Sequence, residues 1–124
     1  MRRMIALVFT ALLVLTGCSS SGGDFRQVNA EEARKIMDTE TNYVILDVRT
    51  QEEFAEKHIP GAVCVPNETI GSEAPEELPD KDQLILVYCR SGNRSKQAAG
   101  KLAKQGYTNL VEFGGINDWP YETE

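Results

Sequence analysis

Basic residues are scarce in this 124-residue sequence. It has 13 lysines and arginines against 19 aspartates and glutamates, a net formal charge of −6. This balance argues against nonspecific nucleic-acid binding, which requires basic side chains to neutralise phosphates. The sequence also contains a single histidine, only three cysteines and no internal repeat. These absences leave few candidate nucleophiles, bases or metal ligands, and they favour one small domain.

The N-terminus is typical of a secretory signal. Arg2 and Arg3 precede an apolar stretch from Met4 to Thr16, which is too short and wrongly flanked for a confident membrane span. The segment ends in "LTGC", which resembles a bacterial lipobox, after which the cysteine is acylated and becomes the mature N-terminus. We therefore predict a signal peptide at residues 1–17 and a lipid anchor, such as palmitate, on Cys18. An uncleaved membrane anchor is the alternative.

The predicted mature chain is more acidic than the precursor. Removal of residues 1–17 leaves 11 basic and 19 acidic residues, a net formal charge of −8. Residues 18–27, which include "SSSGGD", are predicted to be a flexible tether. Residues 28–122 then suffice for one domain, with a monomer as the default. We expect the protein in the cell envelope, lipid-anchored to a membrane on its extracytoplasmic side.

Strand and helix patterns alternate along this domain. Asn29 with Glu32, and Thr50 with Glu53, form capping-box patterns that predict helix starts. The runs "YVILDV" and "LILVY" have no polar face, which is typical of strands buried on both sides, and "GAVCVP" and "NLVEF" predict shorter strands. "SKQAAGKLAKQG" predicts an amphipathic helix that ends at Gly106. The pattern indicates an α/β domain with a mostly parallel sheet covered by helices on both faces.

Two polar or reactive residues follow the buried runs. Asp47 and Cys89 stand at the ends of the two longest predicted strands. Sites in parallel sheets form at the carboxyl ends of the strands, so we expect the functional site there.

The segment after Cys89 is suited to hold an anion. In "CRSGNRS", the thiol precedes a predicted helix N-terminus, whose unpaired N–H groups and dipole favour negative charge. Arg90 and Arg94 add permanent positive charge, and Gly92 allows the backbone to curl. Together these features are expected to lower the pKa of the Cys89 thiol and make it nucleophilic.

This segment closely resembles the active-site loop of single-domain rhodaneses, a sulfurtransferase family. "LDVRTQEEFAEKHIPGAVCVP" and "FGGINDW" resemble two further family blocks, so the likeness covers about residues 28–121. It implies the rhodanese-like α/β fold, with a five-stranded, mostly parallel sheet. Lys57 and Cys64 depart from the family pattern, and neither lies in the loop.

The resemblance implies a two-step reaction without metal or organic cofactor. Cys89 would take the outer sulfur of a donor such as thiosulfate as a persulfide and pass it to cyanide or a thiol. It further implies that a substrate- and persulfide-binding loop surrounds this sulfur and that its two arginines hold the anionic donor. The loop comprises Arg90, Ser91, Gly92, Asn93, Arg94 and Ser95.

Two other functions remain open on the sequence. Cysteine phosphatases have five residues between the loop cysteine and arginine, whereas this sequence has the four residues 90–93. The shorter loop fits one sulfur atom better than a tetrahedral oxyanion. A persulfide carrier or partner-docking module in the cell envelope, with little turnover, is the second alternative.

Other candidate residues have structural interpretations. Cys64 and Cys89 form a disulfide in one alternative; the rhodanese arrangement instead puts the Asp47 strand between them and makes Cys64 a small buried residue. His58 is expected to form structural hydrogen bonds. Asp47 and Arg49 are expected to support the site as an ion pair that braces the loops, with a substrate contact as the alternative.

Overall fold

The computed structural model describes residues 24–124. The predicted signal peptide, the lipidation site Cys18 and most of the tether lie outside this range. Five strands and three helices alternate along the described chain, and two short 3₁₀ turns follow β3 and β5. They are β1 (Arg26–Gln27), α1 (Ala30–Thr39), β2 (Tyr43–Asp47), α2 (Gln51–Glu56), β3 (Val63–Cys64), the turn Asn67–Thr69, β4 (Leu84–Cys89), α3 (Asn93–Lys104), β5 (Leu110–Gly115) and the turn Ile116–Asp118.

All five strands form one parallel sheet in the order β1-β5-β4-β2-β3. The central strand β4 pairs with β2 on one side and β5 on the other. This confirms the predicted five-stranded α/β fold. Continuous apolar runs are required in β2 and β4 because helices cover both faces of a parallel sheet.

Consecutive residues of β4 serve two separate cores. Val87 lies in the cluster that contains Leu102 of α3, whereas Leu86 lies in the cluster that contains Ala33 of α1. Side chains alternate between the two faces of a strand, so both neighbouring positions must be apolar. The sheet therefore separates an α3 side from an α1 side, and Cys89 belongs to the α3 side.

Local signals in the sequence set the helix boundaries. The capping boxes at Asn29 and Thr50 are both present, with reciprocal hydrogen bonds between the cap and the third helical residue. Gly106, which follows the C-cap Gln105 of α3, has a φ of +104°, as a helix-ending glycine requires. These predictions are confirmed. The sequence could predict the boundaries because the interactions span only three or four residues.

The N-terminal edge of the domain differs from the prediction. Arg26 and Gln27 were predicted to lie in the tether of residues 18–27, yet they pair with β5 as an edge strand. Both side chains are exposed, so no apolar pattern marks the strand. Phe25 packs against the α3-side core and ties this segment to the domain. Within residues 24–124, no helix has the length and apolar character that a membrane crossing requires.

Candidate functional site

Cys89 and Asp47 lie at the carboxyl ends of neighbouring central strands. This is the edge at which the sequence placed the site. The Cys89 side chain is almost completely enclosed, since the residue is 1% exposed. Its Sγ accepts a hydrogen bond from the backbone N–H of Gly92 at 3.0 Å and lies 3.3 Å from Ser95 Oγ.

The loop after Cys89 turns directly into α3. Gly92 is the N-cap of this 12-residue helix and has a φ of +111°, a conformation that favours glycine. No acidic residue occupies the first turn. The unpaired N–H groups and dipole of α3 therefore act on the sulfur, and no carboxylate from the first turn of the helix itself opposes them.

A pair of glycines in β5 allows the loop to lie against the sheet. A Cβ at Gly115 would be 1.9 Å from the carbonyl oxygen of Arg90, and one at Gly92 would be 3.7 Å from the Cα of Gly114. Asn117 N–H then donates to the same Arg90 oxygen at 3.1 Å. The "GG" in the sequence thus marks close backbone contact with the loop, a role that the sequence alone had not assigned.

Both loop arginines bind Glu53 of α2. Arg90 Nε lies 2.9 Å from Glu53 Oε2, and Arg94 Nη1 lies 2.9 Å from Oε1. The hydrogen bond from Arg94 is the main reason that the pKa of Glu53 lies well below its ordinary value. The capping-box pattern in the sequence identifies Glu53 only as a helix-capping residue, so this second contact was not predicted. The carboxylate neutralises one of the two positive charges beside the loop.

The predicted ion pair between Asp47 and Arg49 is present and buried. Arg49 Nη2 lies 2.7 Å from Asp47 Oδ2, and the two residues are 3% and 0% exposed. Tyr88 donates its hydroxyl to the same Asp47 oxygen, and Arg49 also donates to the carbonyl of Lys57. Burial, followed by this hydrogen bond, raises the pKa of Tyr88. Through Tyr88 and Lys57, the ion pair connects the ends of β2 and β4 to the turn after α2, which is the bracing contact that was expected.

The two cysteines of the domain are separate free thiols. Cys64 lies on β3, and β2 stands between it and β4, so the alternative of a disulfide is wrong. Cys64 Sγ lies 3.6 Å from the carbonyl oxygen of Arg49. Burial raises the pKa of the Cys64 thiol to about 11, which disfavours the nucleophilic thiolate.

His58 makes the structural contacts that were predicted. Its Nδ1 lies 2.9 Å from the carbonyl oxygen of Phe54, and its ring stacks on the Phe54 ring with centroids 3.9 Å apart. The backbone of His58 pairs with that of Glu124 through two hydrogen bonds. These contacts hold the end of α2 and the C-terminal segment together.

A second acidic residue near the loop was likewise not predicted from the sequence. Glu112 is 2% exposed on β5, and its Oε2 lies 2.5 Å from Ser95 Oγ. A charged residue within the apolar run "NLVEF" is the signal that could have identified it. Among residues 24–124, no three acidic, histidine or cysteine side chains are grouped as a metal site would need.

Comparison with known proteins gives the same class as the fold and loop. The model of the family described as "Rhodanese-like domain" matches residues 29–121. The chain therefore belongs to the rhodanese-like domain family.

Named relatives and a solved structure agree with this assignment. PspE of Escherichia coli, named a thiosulfate sulfurtransferase, is 34% identical over 73 residues, 59% of this chain and 70% of PspE. YrkF of Bacillus subtilis, named as a candidate sulfur carrier protein, is 33% identical over 107 residues; these are 86% of this chain but only 57% of YrkF. The solution structure of the rhodanese-like domain of Anabaena Alr3790 superposes with a TM-score of 0.71 at 28% identity, covering 79% of this chain and 77% of that one.

Proposed function

We propose that this chain is a sulfurtransferase that forms a persulfide on Cys89. The observation that carries the proposal is the 3.0 Å hydrogen bond from Gly92 N–H to Cys89 Sγ at the start of α3. A backbone amide and a helix N-terminus aimed at sulfur stabilise a thiolate. The name of PspE, a relative that is 34% identical, supports sulfur transfer as the reaction.

The reaction consists of two sulfur transfers. The Cys89 thiolate attacks the outer sulfur of thiosulfate, the bond between the two thiosulfate sulfurs breaks, and sulfite leaves with the electron pair. A cyanide or thiolate acceptor then attacks the terminal sulfur of the persulfide, and the Cys89 thiolate is the leaving group. Loop residues 90–95 surround the terminal sulfur. Neither step requires a metal or an organic cofactor.

The arginines supply the charge that attracts an anionic donor. Arg94 directs both terminal nitrogens to Glu53, whereas Arg90 uses its Nε and is 57% exposed at its side chain. Arg90 makes no hydrogen bond with its terminal nitrogens inside residues 24–124. In this proposal Arg90 contacts the anionic donor first. Arg94, held by Glu53, contributes positive electrostatic potential from a fixed position.

Two rival activities have less support. Residues 90–93 are the four residues that separate Cys89 from Arg94, one fewer than in cysteine phosphatases. Sulfur carriage with little turnover is the second candidate, and the name of YrkF favours it. A carrier would form the same persulfide, so only turnover distinguishes it from an enzyme.

Intact mass tests the proposal directly. After thiosulfate treatment without reductant, the protein is expected to gain the mass of one sulfur atom and to lose it on addition of cyanide. Cys89→Ser should show no gain, while the matched variant Cys64→Ser should behave like the wild type. Sulfur uptake by Cys89→Ser would overturn the assignment. A persulfide without multiple turnover of thiosulfate and cyanide would favour the carrier.

The proposed setting of this activity is the cell envelope. The basic, apolar and lipobox-like segments of residues 1–18 support export and acylation of Cys18. Two or three acyl chains would anchor the protein stably, because each buried methylene contributes about 0.8 kcal/mol. The protein would then work as a monomer tethered to the extracytoplasmic side of a membrane.

A further inference from the structure

The carboxyl group of Glu112 lies two hydrogen bonds away from the Cys89 sulfur. Ser95 Oγ is the link: it lies 2.5 Å from Glu112 Oε2 and 3.3 Å from Cys89 Sγ. All three residues are at most 2% exposed. Burial of a carboxyl group costs free energy unless the group is hydrogen-bonded. The Glu112 carboxyl group is bonded to Ser95, but the reaction proposed above does not use it.

Three acceptors surround the single hydroxyl proton of Ser95: Glu112 Oε2 is the nearest, and the carbonyl oxygens of Gly92 and Gly114 lie farther away, at 3.0 and 3.3 Å. A serine hydroxyl carries one proton, and 2.5 Å is the length of a charge-assisted bond from O–H to a carboxylate oxygen. Gly114 N–H donates to the same Glu112 oxygen at 2.9 Å. With the Ser95 proton on Glu112, the remaining lone pair of Ser95 Oγ accepts the proton of the Cys89 thiol.

We propose that Cys89 and Glu112 share one negative charge through the hydroxyl of Ser95. When the thiol ionises within the site, its S–H bond breaks and the proton passes to Ser95 Oγ. The original proton of Ser95 passes to Glu112 Oε2 at the same time. Sulfur becomes a thiolate and the carboxylate becomes a carboxylic acid, so the charge of the network stays at −1. Glu112 thus acts through Ser95 and does not itself contact the donor.

The surroundings favour one negative charge rather than two. Like charges in one buried site disfavour each other's ionised form. Arg90 and Arg94 lie on the sulfur side of the network, but Glu53 neutralises one of their charges. Lys96 of α3 and Glu32 of α1 line the surface depression that borders Glu112, and their charges oppose each other. Glu68 adds a further negative charge that acts on Arg94, so the positive charge near the sulfur balances one anion better than two.

The inference rests on the proposed function, in which Cys89 is the reacting thiol, and alkylation tests it without sulfur transfer. The full chain is treated with iodoacetamide over a range of pH and digested with trypsin. Cleavage after Lys81 and Arg90 gives a peptide, residues 82–90, in which Cys89 is the only cysteine. Its alkylation rate reports the thiolate fraction of Cys89 alone.

A coupled pair loses its protons in two steps that belong to both groups. The wild-type rate is therefore expected to rise in two steps as pH increases. Glu112→Gln keeps the shape of the side chain but cannot accept the proton. We expect its rate to rise in one step and to reach the wild-type plateau at a pH about one unit lower, because no second charge opposes ionisation. In a Ser95→Ala background the same substitution should shift the curve less.

A control variant distinguishes proton coupling between Cys89 and Glu112 from an effect of side-chain packing. Glu32→Gln makes the same charge change at the same surface depression without a contact to Ser95, and its curve should coincide with that of the wild type. A Glu112→Gln curve that is unchanged, moves to higher pH, or is slower by one factor at every pH would overturn the proposal. The pH curve of the wild-type alkylation rate tests the proposal even if Glu112→Gln does not fold, since a curve with a single step contradicts coupling. A wild type with two steps but no sulfur uptake would overturn the proposed function alone.

Discussion

Glu53 shows how one residue links two elements through different interactions. Its backbone N–H donates to Thr50 Oγ1, and its carboxylate accepts a hydrogen bond from the Thr50 N–H. The same carboxylate holds the guanidinium groups of Arg90 and Arg94. The start of α2 is therefore attached to the loop that follows Cys89.

Glu53→Gln is predicted to lower the free energy of unfolding by about 1–2 kcal/mol at pH 7, because two partly exposed ion pairs lose their charge. The pKa of Glu53 is lowered in the folded protein. Its contribution is therefore complete above the ordinary glutamate pKa, about 4.3, and is lost as pH falls below it. The difference between wild type and Glu53→Gln should shrink between pH 7 and pH 3.

Urea unfolding at several pH values measures this difference. Glu52→Gln is the matched control, because it makes the same change in the first turn of α2 at an exposed position. Its stability should follow that of the wild type within about 0.5 kcal/mol at each pH. A constant difference between wild type and Glu53→Gln across this range would mean that charge is not the source of the effect.

Among the secondary-structure elements, the contact between β5 and the loop after Cys89 determines the shape of the site. The pairing of β4 with β5 is irregular between Val87 and Cys89, where the central strand ends. The backbone of Gly115 then approaches that of Arg90 so closely that no side chain fits. The enclosure of the sulfur thus depends on a strand 21 to 26 residues further along the chain.

Gly115→Ala is predicted to displace the loop and prevent persulfide formation. Its Cβ would overlap the Arg90 carbonyl at 1.9 Å, and backbone cannot move as a flexible side chain can. We expect a loss of about 2–4 kcal/mol in the free energy of unfolding. Sulfur uptake and thermal unfolding of the same variant measure the two effects.

Gly100→Ala provides the control for this glycine. Gly100 lies inside α3, and no heavy atom lies within 4 Å of an added Cβ. Alanine should therefore stabilise the helix by about 0.5–1 kcal/mol and leave sulfur uptake intact. Normal sulfur uptake by Gly115→Ala would show that the loop does not need the close approach.

For the protein as a whole, the proposed N-terminal anchor and the folded domain would have separate tasks. The five-stranded sheet holds Cys89 and Asp47 at one edge, and the chain enters the sheet through the short edge strand β1. The proposed lipid on Cys18 would need only to attach this domain to a membrane. The anchor and the sulfur chemistry should therefore be separable by mutation.

Cys18→Ser is predicted to remove acylation and to move the protein from the membrane fraction to the soluble fraction of its bacterial host. The anchor of the wild type comes from buried acyl chains in this proposal. Fractionation with mass spectrometry of the N-terminal peptide measures both effects. Cys64→Ser should remain in the membrane fraction. Equal membrane association of Cys18→Ser and wild type would instead favour an uncleaved N-terminal anchor.

Features that depend on near neighbours or on periodicity could be predicted from the sequence. The caps at Asn29 and Thr50, the buried runs of β2 and β4, and the sulfur at a strand end were all predictable. Each is governed by residues a few positions apart or by burial of a whole segment. Resemblance to rhodaneses added the position of the Asp47 strand between the strands of Cys64 and Cys89, and that position excludes the disulfide.

The contacts between charged residues at the site could be identified only after the strands and helices had been placed in three dimensions. Glu53 joins Arg90 and Arg94 across 37 and 41 positions, and Glu112 reaches Ser95 across 17. The exposed strand β1 likewise forms by backbone pairing that no side-chain pattern records. Such contacts depend on how helices and strands pack around the sheet, and one sequence carries no local signal of that packing.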